Sequence, residues 1–103
     1  MKNMNSIITH SVFFRLKHKV GSMTEKEFID SCLRILSLIP DVVSFRVLRQ
    51  TSRKNNFDFG LTMDFENQSA YDEYNNHPDH VEFVRDIWIP NVEEFMEIDY
   101  TEI

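Results

Sequence analysis

The sequence predicts an α+β fold in which four antiparallel strands form one sheet and helices cover one of its faces. Two observations lead to this prediction: alternating apolar residues occur in four short segments, and apolar residues recur at helical spacing in the segments between them. The 103 residues are 42% hydrophobic and 27% charged, which is typical of one globular domain. We therefore expect a single domain over residues 1–103.

The first strand is predicted from Ile7 to Leu16. Its even-numbered residues include Val12 and Phe14, and they form one apolar row because strand side chains alternate between the two faces. His10 falls in this row. We therefore expect the His10 imidazole to point toward the helices together with the apolar side chains.

The first helix is predicted to begin at Thr24 and to end at Pro40. The segment TEKE resembles a capping box, with Thr24 as N-cap and Glu27 at the reciprocal position. Proline ends the helix because it lacks the N–H donor and clashes with the preceding turn. The apolar side of this helix carries Phe28, Ile29, Cys32, Ile35, Leu36 and Ile39.

Two further strands follow, and we expect them to form a hairpin. Val43, Phe45 and Val47 alternate with polar residues, residues 51–56 are polar and predict a turn, and residues 57–65 alternate strictly between apolar and polar or small residues. The row of the second of these strands is Phe57, Phe59, Leu61, Met63 and Phe65.

A second helical region is predicted in two parts. Asn67 and Ser69 are both candidate N-caps for a helix that ends near Asn76, and Pro78 is a favourable first residue for another short helix. His77 is the residue before this proline. The region continues to Trp88, which the pattern places in the core.

The last strand has two rows of different character. Met96, Ile98 and Tyr100 form one row, whereas Phe95, Glu97 and Asp99 form the other. The complete order is βαββαβ, the ferredoxin-like arrangement with helices on one sheet face. We expect the opposite face to carry Ile7, Phe13, Leu48 and Phe95, and large apolar side chains there predict a homodimer formed through the sheet.

Charge and composition exclude several function classes. The chain has 17 acidic and 11 basic residues, a net charge of −6 and no basic run, which argues against binding to nucleic acid or to an anionic membrane. Cys32 is the only cysteine, so a disulfide within the chain is excluded. No stretch of about 18 apolar residues and no signal-peptide pattern occurs, and we expect a cytoplasmic protein.

Several segments together resemble a known family. They are ITHSVFFRLK, a helix ending in SLIPDVVSF, FDFGLTMDFEN, the block YNNHPDH and the segment VEFVRDIWIPNVEEFMEIDY. The sequence from about Ile7 to Tyr100 is similar to the stress-responsive dimeric α/β-barrel family. The resemblance implies a ferredoxin-like subunit and a homodimer whose two sheets face each other, but it does not imply one function.

The resemblance also implies candidate site residues. A polyketide cyclase of this family works without a cofactor and uses a histidine of the HPxH block, a tyrosine shortly before it and a histidine of the first strand. The matching residues here are His80, Tyr74 and His10. His80 would act as general base, Tyr74 would donate to a developing enolate, and His10 would orient the substrate.

The ligand-binding set expected around these three residues is His10, Cys32, Tyr74, His77, His80 and Trp88. Cys32 stands where the cyclase has a tyrosine in its pocket, a difference that argues against a shared substrate. A metal site built from His77, Asp79 and His80 is disfavoured, because Pro78 forces a turn and no further ligand lies nearby in the sequence. We expect neither a metal nor another cofactor.

Several functions remain open at this point. The leading hypothesis is a homodimer that binds a small organic molecule between helices and sheet. The second is a cofactor-independent lyase or cyclase, and the others are a structural stress protein and a cofactor-independent monooxygenase. In the structural alternative, HPDH only breaks the helix, with His77 as a cap and His80 hydrogen-bonded in the core.

Overall fold

The computed structural model describes residues 6–103 and confirms the ferredoxin-like α+β fold. The elements are β1 (Ile8–Leu16), α1 (Met23–Ile35) with a 3₁₀ turn (Leu36–Leu38), β2 (Val43–Arg49), β3 (Phe59–Phe65), α2 (Gln68–Asn76), α3 (Pro78–Phe83), a π-helical turn (Val84–Trp88), α4 (Ile89–Asn91) and β4 (Val92–Thr101). No helix in this part of the chain is both long and apolar enough to cross a membrane.

The four strands form one sheet in the order β2-β3-β1-β4, and each neighbouring pair is antiparallel. The predicted hairpin between β2 and β3 is therefore confirmed. β1 is an inner strand, and its residues from Ile8 to Phe14 have partners on both sides. His10 lies opposite Met63 of β3 and Asp99 of β4, which places these three residues in one row across the sheet.

The core lies between the sheet and the helices. Phe14 is fully buried, and its ring centroid lies 5.3 Å from that of Phe59, 5.8 Å from that of Phe28 and 5.0 Å from that of Trp88. Burying one such aromatic side chain stabilises the fold by about 2–3 kcal/mol. This aromatic group connects the two inner strands to both helical regions.

Helix α1 begins at Met23, and its N-cap lies two residues before the predicted N-cap Thr24. Ser22 is the N-cap, and its hydroxyl accepts a hydrogen bond from the Glu25 N–H at 3.2 Å. The buried Glu25 carboxylate accepts from the Gly21 N–H at 2.9 Å and from Arg49 at 3.0 Å. The Gly21 N–H, together with Arg49, holds the pKa of Glu25 below its usual value, although burial acts in the opposite direction. The prediction of Thr24 as N-cap was wrong because Ser22 precedes a glutamate at the same spacing.

Strand β2 contains a bulge that changes the face of its first residue. Val43 lies opposite Asp64, whereas Arg46 lies opposite Thr62, so one extra residue is accommodated between these two pairs. Ser44 adopts a φ of 56°, which is the left-handed region. Val43 therefore lies on the outer face of the sheet, and its predicted row with Phe45 and Val47 was wrong.

Strand β4 has the two predicted rows, but each row faces the opposite side of the sheet from the one predicted. Phe95 lies opposite Phe14 of β1, and its ring centroid is 5.6 Å from that of Trp88, so Phe95 faces the helices rather than the outer face. The row of Met96, Ile98 and Tyr100 lies on the outer face, opposite Phe13, Ser11 and Thr9. The prediction for Phe95 was wrong because the more apolar row of β4 does not face the helices.

The break between α2 and α3 agrees with the sequence. The Asn67 side chain caps α2 by accepting from the Ala70 N–H at 2.9 Å, and Pro78 is the first residue of α3. His77 ends α2 and caps α3, because its imidazole accepts from the Asp79 N–H at 3.0 Å. This break turns the chain back toward the sheet at the position of His80.

Candidate functional site

A cavity of about 520 Å³ lies between the sheet and the helical region from α2 to α4. Its apolar walls come from the sheet, the 3₁₀ turn and the π-helical turn, and its polar groups come from β1, β4 and the α2–α3 break. The lining residues are His10, Val12, Leu36, Leu61, Tyr74, Asn75, His80, Phe83, Val84, Trp88, Ile89, Phe95 and Glu97. A largely apolar cavity with a few convergent polar groups has the character of a small-molecule site.

His80 presents a basic nitrogen because of its backbone partner. Its Nδ1 lies 3.2 Å from the carbonyl oxygen of Asn75, and a carbonyl can only accept, so Nδ1 carries the hydrogen. The neutral ring then has its lone pair on Nε2. Burial lowers the pKa of His80, with a smaller contribution from the nearby His10, while the Asn75 carbonyl acts in the opposite direction. Because the ordinary pKa is about 6.5, His80 is mostly neutral at pH 7.

Tyr74 supplies a hydrogen-bond donor next to this base. Its ring centroid lies 4.4 Å from that of His80 and 5.0 Å from that of Phe65. The side chain is buried, and burial raises the pKa of Tyr74, so the phenol keeps its proton throughout the physiological range. α2 places Tyr74 on its sheet-facing side, three residues before the helix ends at the His77 cap.

His10 is 4% exposed and is held by a carboxylate and a phenol. Its Nδ1 lies 2.6 Å from Oδ1 of Asp99, and the Tyr71 hydroxyl donates to Oδ2 of the same carboxylate at 2.9 Å. The Tyr71 oxygen is also 2.9 Å from Nδ1 of His10. Because a carboxylate can only accept, Nδ1 carries a hydrogen, and in the neutral ring Nε2 is left as an acceptor.

The sequence did not predict the roles of Tyr71, Asp99 and Glu97. Asp99 and Glu97 share the row of Phe95, so the wrong face for Phe95 also removed these two carboxylates from consideration. Tyr71 is distinguished by its pKa, which burial raises first and the Asp99 carboxylate raises further. Its spacing three residues before Tyr74 on α2 was the available signal, since such residues share one helix side.

The six residues expected to bind a ligand separate into two groups. His10, Tyr74, His80 and Trp88 line the cavity, whereas Cys32 and His77 are absent from its walls. Cys32 is fully buried in the core, where burial raises the pKa of its thiol to about 12. His77 serves as the cap of α3. The catalytic roles of His10, Tyr74 and His80 stay predictions.

The ring distances show how far the three predicted catalytic residues converge. The His80 ring is tilted against the Tyr74 ring, and the centroids of His10 and Tyr74 are 6.4 Å apart, so the Tyr74 ring is near both imidazoles. Within residues 6–103, no three His, Cys, Asp or Glu side chains are grouped as metal ligands. The arrangement has a base, a phenol donor and an oriented imidazole around one apolar cavity.

Fold and site together define a ferredoxin-like α+β protein with a polar-ended cavity between its sheet and helices. The model of the stress-responsive A/B barrel domain family matches residues 8–102. The chain therefore belongs to this family, and the resemblance seen in the sequence is confirmed.

Solved structures agree with this assignment. A family protein from Mesorhizobium loti with a ferredoxin-like fold is 50% identical, with a TM-score of 0.94 and coverage of 95% of this chain and 98% of that chain. A dimeric ferredoxin-like protein of unknown function from Thermobifida fusca is 18% identical, with a TM-score of 0.79 and coverage of 99% and 96%.

The hydroxynitrile lyase from Passiflora edulis is 16% identical, with a TM-score of 0.83 and coverage of 97% of this chain and 96% of that chain. At these low identities, the lyase and the Thermobifida protein show a shared fold alone. A comparison with curated proteins finds no match.

Proposed function

We propose that this protein is a homodimer that binds a small, mainly apolar organic molecule in the cavity described above. The observation that carries the proposal is the cavity of about 520 Å³, which has apolar walls and the polar groups of His10, Tyr74, His80 and Glu97. Cavities of this volume and composition fit ligands of one or two rings.

The outer face of the sheet supports the dimer. Met96, Tyr100, Val43 and Leu48 on this face have exposed fractions of 46%, 52%, 52% and 41% in the single subunit. A sheet face with this many exposed apolar side chains is typical of an interface. A second copy is the favoured partner, since the Thermobifida protein of the same fold is described as dimeric.

The dimer is tested by changing one apolar residue on each side of the molecule. Met96→Lys introduces a charge on the outer sheet face, and we expect it to convert a dimer into a monomer in sedimentation velocity experiments. Leu38→Lys is the control, because Leu38 is 78% exposed in the 3₁₀ turn on the helical side. A monomeric wild-type protein would contradict the proposal, as would equal effects of the two variants.

Ligand binding is tested by a residue that fills the cavity. The protein is titrated with phenol and cyclohexanone while the imidazole and Trp88 indole signals are followed by NMR. Val84→Phe places a larger side chain in the cavity wall, and we expect at least about tenfold weaker binding. Val81→Phe is the matched control, since Val81 is exposed and lies outside the cavity. Equal affinities in the two variants would contradict binding in this cavity.

A second candidate function is cofactor-independent lyase or cyclase chemistry. It is favoured by the free Nε2 of His80 next to the protonated Tyr74 phenol. Nε2 of His80 would remove a proton from a carbon beside a carbonyl, the electrons of the C–H bond would form an enolate, and the Tyr74 hydroxyl would donate to the enolate oxygen. The hydroxynitrile lyase of the same fold provides a precedent for an enzyme on this scaffold.

The exchange of α-hydrogens for deuterium in cyclohexanone tests this chemistry. We expect wild-type protein to accelerate the exchange and His80→Gln to remove about a hundredfold of that acceleration, the usual contribution of a general base. His77→Gln is the control, because His77 caps α3 and is absent from the cavity wall. Exchange that is unaffected by His80→Gln would exclude His80 as the base. It would favour the structural alternative for the HPDH block.

A further inference from the structure

Glu97 occupies a position in the cavity wall that none of the chemistry above uses. It lies on the edge strand β4, and its alternation in that strand directs it to the helix-facing side. Its carboxylate Oε2 is 3.9 Å from Nε2 of His10, which is beyond hydrogen-bond distance. Among the described residues, no side chain or backbone group donates a hydrogen bond to this carboxylate.

The cavity holds no side chain of permanent positive charge that would balance Glu97. No lysine or arginine of the described chain contributes to the cavity wall, and His80 is mostly neutral at pH 7. Asp99 adds a second carboxylate nearby, and its two oxygens already accept from His10 and Tyr71. The polar end of the cavity therefore has two carboxylates at or near it and no permanent positive charge, which disfavours a ligand carboxylate.

The geometry at His10 suits a donor with more than one hydrogen. In the neutral form of His10 with its hydrogen on Nδ1, Nε2 and the Glu97 carboxylate are two acceptors 3.9 Å apart. One ammonium nitrogen can lie about 2.9 Å from both acceptors, with an angle of about 85° between the two directions. A hydroxyl has one hydrogen and can donate to only one of them.

The rest of the wall suits the body of such a ligand. Phe83, Trp88 and Phe95 bring aromatic rings to the cavity, and the π faces of aromatic rings attract a cation in addition to packing against apolar groups. A ligand with an apolar ring and a short side chain ending in an ammonium group would therefore fit both the aromatic wall and the polar end of the cavity.

We propose that Glu97 makes the cavity selective for primary amines with an apolar ring, through a shared ammonium contact with His10, and that it excludes carboxylates. This selectivity rests on the ligand-binding function proposed above. It adds a chemical class of ligand and a specificity-determining residue to that function.

Three probes with the same ring and different charge test the selectivity. Benzylamine, benzyl alcohol and benzoate are titrated into the protein at pH 7.5, and the Trp88 indole and His10 imidazole signals are followed by NMR. We expect benzylamine to bind about tenfold more tightly than benzyl alcohol, as one charge-assisted contact provides, and benzoate to bind more weakly than both.

Two variants test whether the preference for the amine is due to the Glu97 carboxylate. Glu97→Gln should weaken benzylamine about tenfold and leave benzyl alcohol within about twofold, because only the charge is removed. Glu73→Gln, on the exposed side of α2, is the control and should change neither affinity.

Equal binding of the amine and benzoate would overturn the selectivity while the ligand-binding function stands, and so would a Glu97→Gln variant with unchanged affinities. Failure of all three probes to bind wild-type protein would overturn both proposals.

Discussion

The helix-facing side of the sheet has two ends that differ in chemistry although β1 contributes to both. At one end the aromatic core of Phe14, Phe28, Phe59 and Trp88 is tightly packed. At the other end the polar cluster of His10, Tyr71 and Asp99 is joined by hydrogen bonds of 2.6 to 2.9 Å. His10 and Phe14 stand four residues apart in one row.

The two ends have different roles: the aromatic core stabilises the fold, and the polar cluster sets the geometry of the site. Burial of aromatic surface contributes several kcal/mol per residue, whereas an intramolecular hydrogen bond contributes only about 1 kcal/mol net. The aromatic core therefore provides most of the stability of the sheet–helix packing. The hydrogen bonds of the polar cluster then orient His10 within this packed structure.

Phe14→Ala should lower the free energy of unfolding by about 4 kcal/mol, because it leaves a cavity at the centre of the aromatic core. Urea unfolding followed by circular dichroism measures the change. Tyr71→Phe, which removes only a hydroxyl of the polar cluster, should cost about 1 kcal/mol in the same experiment. The comparison fails if the two variants lose similar stability.

Asp99→Asn should lower the free energy of unfolding by only about 1–2 kcal/mol, since a partly exposed charge that accepts two hydrogen bonds is lost. The pKa of Tyr71 should fall, because the negative charge of Asp99 contributes to raising it. NMR titration of the tyrosine ring at alkaline pH measures this shift. Asp72→Asn, on the exposed side of α2, is the control. A Tyr71 pKa that is unchanged or higher would contradict the proposed network.

The smallest expected effect is the pH dependence due to His80. Its pKa is lowered in the folded state, so the unfolded chain binds more protons between the folded pKa and about 6.5. The contribution of His80 to the free energy of unfolding should therefore be fully present above about pH 6.5 and decrease as the pH falls through the lowered pKa. NMR titration of the imidazoles, with His80→Gln for assignment, measures the pKa of His80 on which this pH dependence rests. A His80 pKa at or above 6.5 would show that its burial does not govern its charge.

The fold was predictable from the sequence because most strands have one row that is clearly apolar. β3 alternates without interruption, and Pro78 and Asn67 mark the second helical region with residues that have specific backbone roles. The position of the N-cap was less certain, because Ser22 and Thr24 both precede a glutamate by three residues.

The candidate site was predictable only in part, since its residues were chosen by resemblance and by alternation. His10, Tyr74 and His80 reach one cavity, but Glu97 and Asp99 were placed on the wrong side with Phe95. Alternation identifies two rows in β4 without saying which one faces the helices. The usual rule, that the more apolar row faces the core, fails when the other face of the sheet is also apolar and one end of the helix-facing side is a polar cavity.

The π-helical turn has a consequence for chain length. In a regular α-helix, residues five apart point about 140° away from each other, yet the ring centroids of Phe83 and Trp88 lie 6.5 Å apart and both rings face the core. The wider turn, in which the Ile89 N–H donates to the Val84 carbonyl, accommodates the additional residue. A related chain with one residue fewer between these two aromatics could form an ordinary helix with the same buried pair. We therefore expect deletion of one residue between Phe83 and Trp88 to preserve the contact between their rings.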